Sequence, residues 1–415
     1  MKPKYQNKYN KTKVVHLLDV SLPHLSGYAV RSHHVIKNLK KYCETIAITS
    51  PYYDYNQHEE EIEHVFYYRT SKSAVSKIVE FFKIPFVRHI LIERDFRKQA
   101  KRLIKDFKPN IIHAHSNHRI GMCGYRLANQ YKIPFVYEIR GLWEDTRVSK
   151  GLIKKDSIRY KYQKNRETFL AFKADRLFVI SESLKNDMVE RGIPPQKIIV
   201  VPNGVLEADY DEKHIMNLKK KFNLQNSIVL GYIGSLSQYE SLDLLLEVIS
   251  SLRNDSTRNV KGLVVGSGPE FDHLMDLSDK LGIKQSVYFT GKIKPTEIYD
   301  YYKLIDIFVL PRRSTRETDL VTPLKPYEAM EAGCCLLLSD LPASREIIQD
   351  NATGILFKDS DRDDLYSKCK LLIKDNVLRK TIGKASREWV LENRKWDQVV
   401  RNYLPHYQEV IQKDS

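Results

Sequence analysis

Short apolar, β-branched runs recur along the chain and alternate with stretches in which apolar residues return every three or four positions. VVHLLDV (14–20), TIAITS (45–50), NIIHAHS (110–116), PFVYEIR (134–140), LFVIS (177–181) and IIVVPNG (198–204) form a first series. SIVLGYIGS (227–235), GLVVGSG (262–268), SVYFTGKI (286–293), DIFVLPR (306–312), CCLLLSD (334–340) and GILF (354–357) form a second. Their apolar character is continuous rather than alternating, which predicts parallel strands covered on both faces. SLDLLLEVISSL (241–252) shows the helical partner, with Leu242, Leu245, Leu246, Ile249 and Leu252 on one core-facing stripe. Two such series, joined near PNGVLEADYDE (202–212), predict an α/β fold of two Rossmann-like domains. A last helical pattern runs from Thr381 to Gln412, is broken by Pro405, and can pack on either domain.

At 415 residues the chain exceeds what one hydrophobic core ordinarily supports, which agrees with two domains. No mostly apolar run approaches the roughly 18 residues of a spanning helix. The opening MKPKYQNKYNKTK has no apolar signal core, so a cytosolic protein is expected. Cys43, Cys123, Cys334, Cys335 and Cys369 show neither CxxC nor zinc-like spacing and are expected as buried thiols. A formal charge of +16 points to anionic partners: nucleic acid, phosphorylated substrates or an anionic membrane face. Residues 72–107 mix Phe81, Phe82, Phe86, Ile90 and Leu91 with many Lys and Arg. That is the composition of a basic amphipathic helix pair able to lie on anionic lipid, or of two domain helices with solvated charged faces.

In an open parallel sheet, ligands bind at the carboxyl ends of the strands, and the residues of interest fall there. Gly266 and Gly268 follow one strand, and Gly234 and Ser235 another, where the backbone can turn tightly and approach a phosphate or ribose. Gly27 and Tyr28 form a loop between the first strand and first helix that can touch a reacting phosphate. His113 and His115 share one face of their strand; His113 reads as a core histidine, whereas His115, nearer the strand end, is a site candidate. YEIRGLWED places Glu138, Arg140, Trp143, Glu144 and Asp145 at a strand end, in the manner of a binding wall. No metal cage stands out, and HExxH, P-loop and zinc patterns are absent.

RRSTRETDLVTPLKPYEAMEAG (312–333) is the densest candidate. Thr322 and Pro323 read as N-cap and first residue of a helix that stops at Gly333. Proline donates no N–H, so Leu324 and Lys325 are the natural free backbone donors at the tip, and an anion there gains roughly 0.3–1 kcal/mol from the helix dipole. Lys325 adds a full charge, and Arg312, Arg313 and Arg316 concentrate more. Glu328 lies on the same face as Lys325, placed to accept hydrogen bonds from a ribose diol.

SGYAVRS, HAHS, FVISESLKNDM, VVPNGV, GYIGSLSQYES, VVGSGPE, VYFTGKI and VTPLKPYEAMEAG, taken in order, make the chain resemble a retaining glycosyltransferase of family 4, in a subgroup with T-P-L-K-P-x-E-A-M. The resemblance implies a GT-B fold: two Rossmann-like domains facing across a cleft, over 1–205 and 206–387, with a C-terminal helix (388–415) crossing back to the first. It implies a nucleotide-sugar donor held by the second domain, a glycan or lipid-linked acceptor held by the first, and no cofactor, metal or nucleic acid. Gly266, Gly291, Lys292 and Ile293 would serve the base and Glu328 the ribose. Leu324, Lys325, Gly27, Gly234, Ser235, Arg312 and Arg316 would serve the diphosphate. Tyr28, Trp143 and Glu144 would face sugar or acceptor, with Lys325, Arg140 and His115 at the reaction. The chain departs from the family at Leu320, where the first carboxylate of a Glu-x7-Glu pattern is expected and for which Glu317 or Asp319 could substitute. It also departs at Ser235 and Glu240, which replace a frequent Arg and Lys, and at Arg140, which replaces a frequent His. A nucleotide-sugar 2-epimerase and a non-catalytic subunit of the same fold stay open as alternatives.

Overall fold

The computed structural model describes residues 12–82, 85–255 and 259–413, without the side chains of Pro85, Phe86 and Asn254. The opening residues 1–11, and the part of the 72–107 expectation that rests on residues 83–84 and the Phe86 side chain, lie outside them. The chain divides into two compact units. The first runs to Val148, resumes over Ile153–Pro202 and returns from Trp396; the second comprises Ser149–Leu152 and Asn203–Lys395. The returning segment therefore begins at Trp396 rather than 388, because helix Asn376–Asn393 packs on helix Lys325–Ala332 and on a strand of the second unit.

The first unit is built on eight strands: β1 (Lys13–Leu18), β2 (Glu44–Thr49), β3 (Glu59–Ile62), β4 (Val65–Arg69), β5 (Ile111–His115), β6 (Phe135–Ile139), β7 (Arg176–Val179) and β8 (Ile198–Val200). Their order is β3-β4-β2-β1-β5-β6-β7-β8, parallel except for the β3–β4 pair. The second sheet contains β9 (Ile228–Ile233), β10 (Val260–Val265), β11 (Val287–Phe289), β12 (Ile307–Leu310), β13 (Cys335–Ser339) and β14 (Ile355–Phe357). It is wholly parallel, in the order β11-β10-β9-β12-β13-β14. Every run expected as a strand is one, and the five cysteines are buried.

The β3–β4 hairpin was not expected, for physical reasons. β3 is Glu-Glu-Glu-Ile on the sheet edge, where charge protects exposed backbone and hides the strand pattern. Its turn takes Glu63 and His64 through positive φ (45° and 68°) without the Asn-Gly pair that usually announces such a turn. The order switches where β1 meets β5 and where β9 meets β12, so both sheets open a crevice at their carboxyl ends.

In the second unit the two helices cross with no room to spare at Gly383. A Cβ there would lie 2.4 Å from the Gly333 carbonyl oxygen, a backbone atom that cannot rotate away. Gly383→Ala is expected to destabilise the unit by about 1–3 kcal/mol, read as a lowered melting temperature of the full chain; an unchanged melt would show that the crossing can relax.

Candidate functional site

At the carboxyl end of the second sheet, three strand-end loops meet in van der Waals contact. Gly266, at φ +126°, donates its N–H to the Gly291 carbonyl (3.0 Å), and a Cβ on it would fall 1.9 Å from the Gly234 oxygen. Gly268 sits as closely against the Leu236 backbone. These glycines are required by backbone approach. Gly234 is favoured by its backbone, at φ +149°, and lies directly under the end of a side chain: a Cβ there would meet Lys325 Cε at 2.7 Å and Nζ at 2.9 Å.

Lys325 thus lies across Gly234, and its ammonium donates to Glu240 Oε1 (2.7 Å) and to the Tyr232 hydroxyl. Arg312 donates to the same carboxylate through Nε (3.1 Å to Oε2) and Nη2 (2.9 Å to Oε1). Burial alone would raise the Glu240 carboxyl, but Arg312 and Lys325 hold it down at about 2. Desolvation lowers Lys325 to about 8 against the opposing pull of Glu240. One carboxylate between two cations leaves this cluster with a single net positive charge.

This corrects the expectation for Arg312, whose fork is committed to Glu240 rather than open to a diphosphate. Glu240 itself was noted only as a departure, although a lone carboxylate in a loop facing a cationic strip was signal enough to suspect a pair. Arg313 pairs with Asp243 (2.7 Å), and Arg316 opens the short helix Arg316–Leu320. Leu320 ends that helix, Asp319 accepts from Ser314 Oγ (2.9 Å), and Glu317 lies in its first turn.

The helix expected from Pro323 starts instead at Lys325, with Leu324 as N-cap and Gly333 at φ +82° as C-cap. Thr322 is not its cap: the helix begins two residues further on, with Leu324 at the N-cap, and the Thr322 carbonyl is held by Asn203 Nδ2 (2.8 Å). Among the described residues, the N–H groups of Leu324 and Lys325 have no partner. Glu328 accepts from the Tyr302 hydroxyl through Oε2 (2.8 Å), leaving Oε1 available, and burial raises its carboxyl. Ser235 and Lys292 are exposed, and Ile293 packs at the edge of the core.

In the first unit a different buried carboxylate organises the candidates. Glu138, fully buried on β6, accepts from Arg31 Nε (2.9 Å), Arg140 Nε (2.8 Å) and the Tyr403 hydroxyl (2.7 Å), and lies 3.3 Å from His113 Nε2. Arg140 also donates to Ser32 Oγ (2.6 Å), to the Tyr28 carbonyl (3.0 Å) and to His115 Nδ1. With Nδ1 accepting, His115 donates from Nε2 to His16 Nδ1 (2.9 Å). Burial lowers all three imidazoles, His16 and His115 well below the usual range and His113 against the opposing pull of the Glu138 carboxylate. These three rings approach closely enough to be considered as metal ligands, but a cation there would share the pocket with the Arg140 guanidinium.

Arg140 and His115, expected at the reaction, are therefore interior members of this network, because the Glu138 charge demands cationic partners once buried. Glu144, expected to face sugar or acceptor, is buried against Arg191 (3.1 Å). Gly27, the first residue of helix Gly27–Leu39, is exposed, and the Tyr28 hydroxyl accepts from the Asp19 N–H (3.1 Å). Trp143 lines an open cleft of about 320 Å³ within the first unit, with Asp19, Asn117, Arg119 and Arg147.

Residues 27–207 match the family model for Glycosyltransferase Family 4, and residues 215–389 match the model for Glycosyl transferases group 1. An uncharacterized glycosyltransferase of Methanocaldococcus jannaschii is 26% identical over 62% of this chain and 64% of its own length. The alpha-monoglucosyldiacylglycerol synthase of Streptococcus pneumoniae is 26% identical over 64% of this chain and 59% of its own. The chain thus spans about three fifths of the length of these relatives. HepE of Anabaena, solved in complex with UDP, superposes with a TM-score of 0.74 at 13% identity, covering 96% of this chain and 100% of that one.

Glu240→Gln keeps the shape of the cluster but leaves Arg312 and Lys325 facing each other without a counter-charge. It is expected to cost about 3–5 kcal/mol of stability, measured by denaturant unfolding of the full chain; a loss within about 0.5 kcal/mol would show that the pair is solvated.

Proposed function

The chain belongs to glycosyltransferase family 4 and has the GT-B fold, and from that premise we propose that it moves a sugar from a nucleotide-diphosphate sugar to a hydroxyl of a second substrate, with retained anomeric configuration. The observation that carries the reading is the Lys325 ammonium lying across Gly234 at a helix tip whose first N–H groups are unpartnered. In this reading the diphosphate takes those N–H groups and the surplus positive charge, and Glu328 takes the ribose with its second oxygen. Gly266, Lys292 and Ile293 serve the base. The UDP in HepE supports a nucleoside diphosphate as the ligand class.

As the bond from the anomeric carbon to the diphosphate breaks, negative charge grows on the leaving oxygen, beside donors that are already oriented. The new bond forms to the acceptor oxygen on the same face, and the acceptor proton passes to the leaving phosphate. No separate general base is needed, and Lys325 with the helix tip supplies the positive field without a metal. The acceptor is a glycan or lipid-linked compound, in bacterial surface polysaccharide or glycoconjugate synthesis.

A membrane-facing acceptor gains support from helices Ala74–Phe81 and Pro85–Phe107. Val75, Ile78, Phe81, Phe82 and Ile90 are each more than half exposed, and Lys77, Arg94 and Lys98 are exposed as well. Apolar side chains exposed in such a group, with cations near them, suit the inner face of an anionic membrane. Among the described residues no helix is long and apolar enough to cross a membrane.

Lys325→Ala is expected to lower transfer by about 10²–10³-fold, and Glu328→Ala to weaken nucleoside diphosphate binding about tenfold. Calorimetry with a panel of nucleoside diphosphates, followed by turnover with the matching sugars, tests both. Full activity in Lys325→Ala would sink the proposed donor site, and product formed without acceptor would favour a 2-epimerase.

The pH dependence has a definite sign. Lys325 loses its proton as pH rises through about 8, so affinity for the diphosphate should fall above that pH. Because the bound anion favours the charged form, binding near pH 8 should take up a proton, detectable by calorimetry in buffers of different ionisation enthalpy. Equal affinity from pH 7 to pH 9, roughly one unit below and above that midpoint, would exclude Lys325 as the anion's partner.

A further inference from the structure

The cleft beside Trp143 opens at the carboxyl ends of β1, β2, β5 and β6, wholly within the first unit. Its two cations have no directly paired carboxylate, although Asp19 lines the same cleft and interacts with Arg119 through space. Arg119 stacks on Tyr52 (5.1 Å) and donates from Nη2 to His89 Nε2 (3.2 Å), and Arg147 has a buried Nη1 without a partner. Neither forms an ion pair with a carboxylate among the described residues. The nearby acids are otherwise engaged: Asp19 accepts from Ser50 and Asn117 (both 3.0 Å), Glu167 from Tyr137 and the His118 N–H (both 2.6 Å), and Glu93 lies 3.6 Å from Arg126.

Other orphaned polar atoms belong to residues that line the same cleft. Gln163, only 4% exposed, lines the cleft with an unpartnered Oε1, and the buried His118 presents an unpartnered Nδ1. Burial and the surrounding arginines hold His118 neutral, at about 3, and His89 neutral, at about 4. Two guanidiniums that repel each other, with Asp19 and several neutral hydrogen-bonding groups around them, form a receptor with surplus positive charge. The N–H groups at the start of helix His118–Tyr131 are not that receptor: Glu167 takes the first and the Asn117 side chain accepts the second.

We propose that this cleft holds the phosphomonoester of a hydroxylated acceptor, with Arg119 and Arg147 as its cationic walls and Gln163 and His118 meeting its hydroxyl groups. The inference rests on the transfer reading for its assignment to an acceptor. A phosphomonoester presents three oxygens that can meet both guanidiniums at once and carries about two negative charges at neutral pH; a carboxylate has one charge and two oxygens.

The test uses the full chain and sn-glycerol 3-phosphate, followed by ³¹P line broadening, with glycerol and glycerate as competitors. Glycerol 3-phosphate should bind and neither competitor should displace it at equal concentration. Arg119→Gln with Arg147→Gln should weaken binding about a hundredfold, about tenfold for each charge-assisted contact. Lys325→Ala should leave it intact. Retained binding of nucleoside diphosphates shows that the double variant is folded, and the single Arg→Lys variants supply a milder second series.

The proposal is overturned if wild type does not bind glycerol 3-phosphate, if binding survives in the double variant, if glycerate competes equally, or if only Lys325→Ala abolishes it. Failure of wild type to bind any nucleoside diphosphate would instead remove the transfer reading and leave the anion result standing. Cosedimentation with phosphatidic acid vesicles, against phosphatidylcholine vesicles, separates the sources. Loss in the double variant assigns the phosphate to a lipid headgroup, and unchanged cosedimentation with lost soluble binding assigns it to a free phosphate ester.

Discussion

A carboxylate buried between two cations organises each half of this protein. Glu138 lies between Arg31 and Arg140, and Glu240 lies between Arg312 and Lys325. An ionised carboxylate out of water is costly unless its lone pairs are filled, and both sites fill them with charged donors in hydrogen-bond geometry. Each arrangement fixes side chains from distant parts of the chain. Glu138 ties β6 to the first helix and to Tyr403, and Glu240 ties its loop to the end of β12 and to helix Lys325–Ala332.

The two differ in exposure, and that separates scaffold from chemistry. Around Glu138 the interior is closed: both arginines are nearly inaccessible, and the three histidines beside them are buried and each makes an internal hydrogen bond. Around Glu240, Lys325 retains some solvent contact and stands next to unpartnered backbone donors. The same electrostatic device thus locks an interior in one unit and leaves a polarised edge in the other.

The parallel sheets were legible because each strand is short, apolar and bounded by turn residues, and Gly234, Gly266 and Gly268 announced close backbone approach by their places after strands. The β3–β4 hairpin was not legible, since an acidic edge strand carries no hydrophobic signal. In the site, Lys325 and Glu328 could be singled out by spacing along one helix. What spacing does not contain is how charges pair across the fold. Arg312 appeared open until Glu240, 72 residues earlier, was seen against it, and Arg140 appeared exposed at a strand end until its partners from the first helix closed over it. The arginine cleft escaped for the same reason: Arg119 and Arg147 come from separate helices and mean nothing until adjacent.

The return of the chain to its first unit also bears on the order in which the protein is completed. The second unit, apart from four residues, is contained between Pro202 and Trp396, so on the ribosome all of it emerges before the first unit receives Tyr403 and Tyr407. Until then Glu138 lacks its hydroxyl donor and His113 its tyrosine partner, and the aromatic packing of Phe178 against both tyrosines is missing. The half that starts first finishes last, and the segment from Trp396 onward is the seal whose arrival turns a nascent sheet into a closed interior.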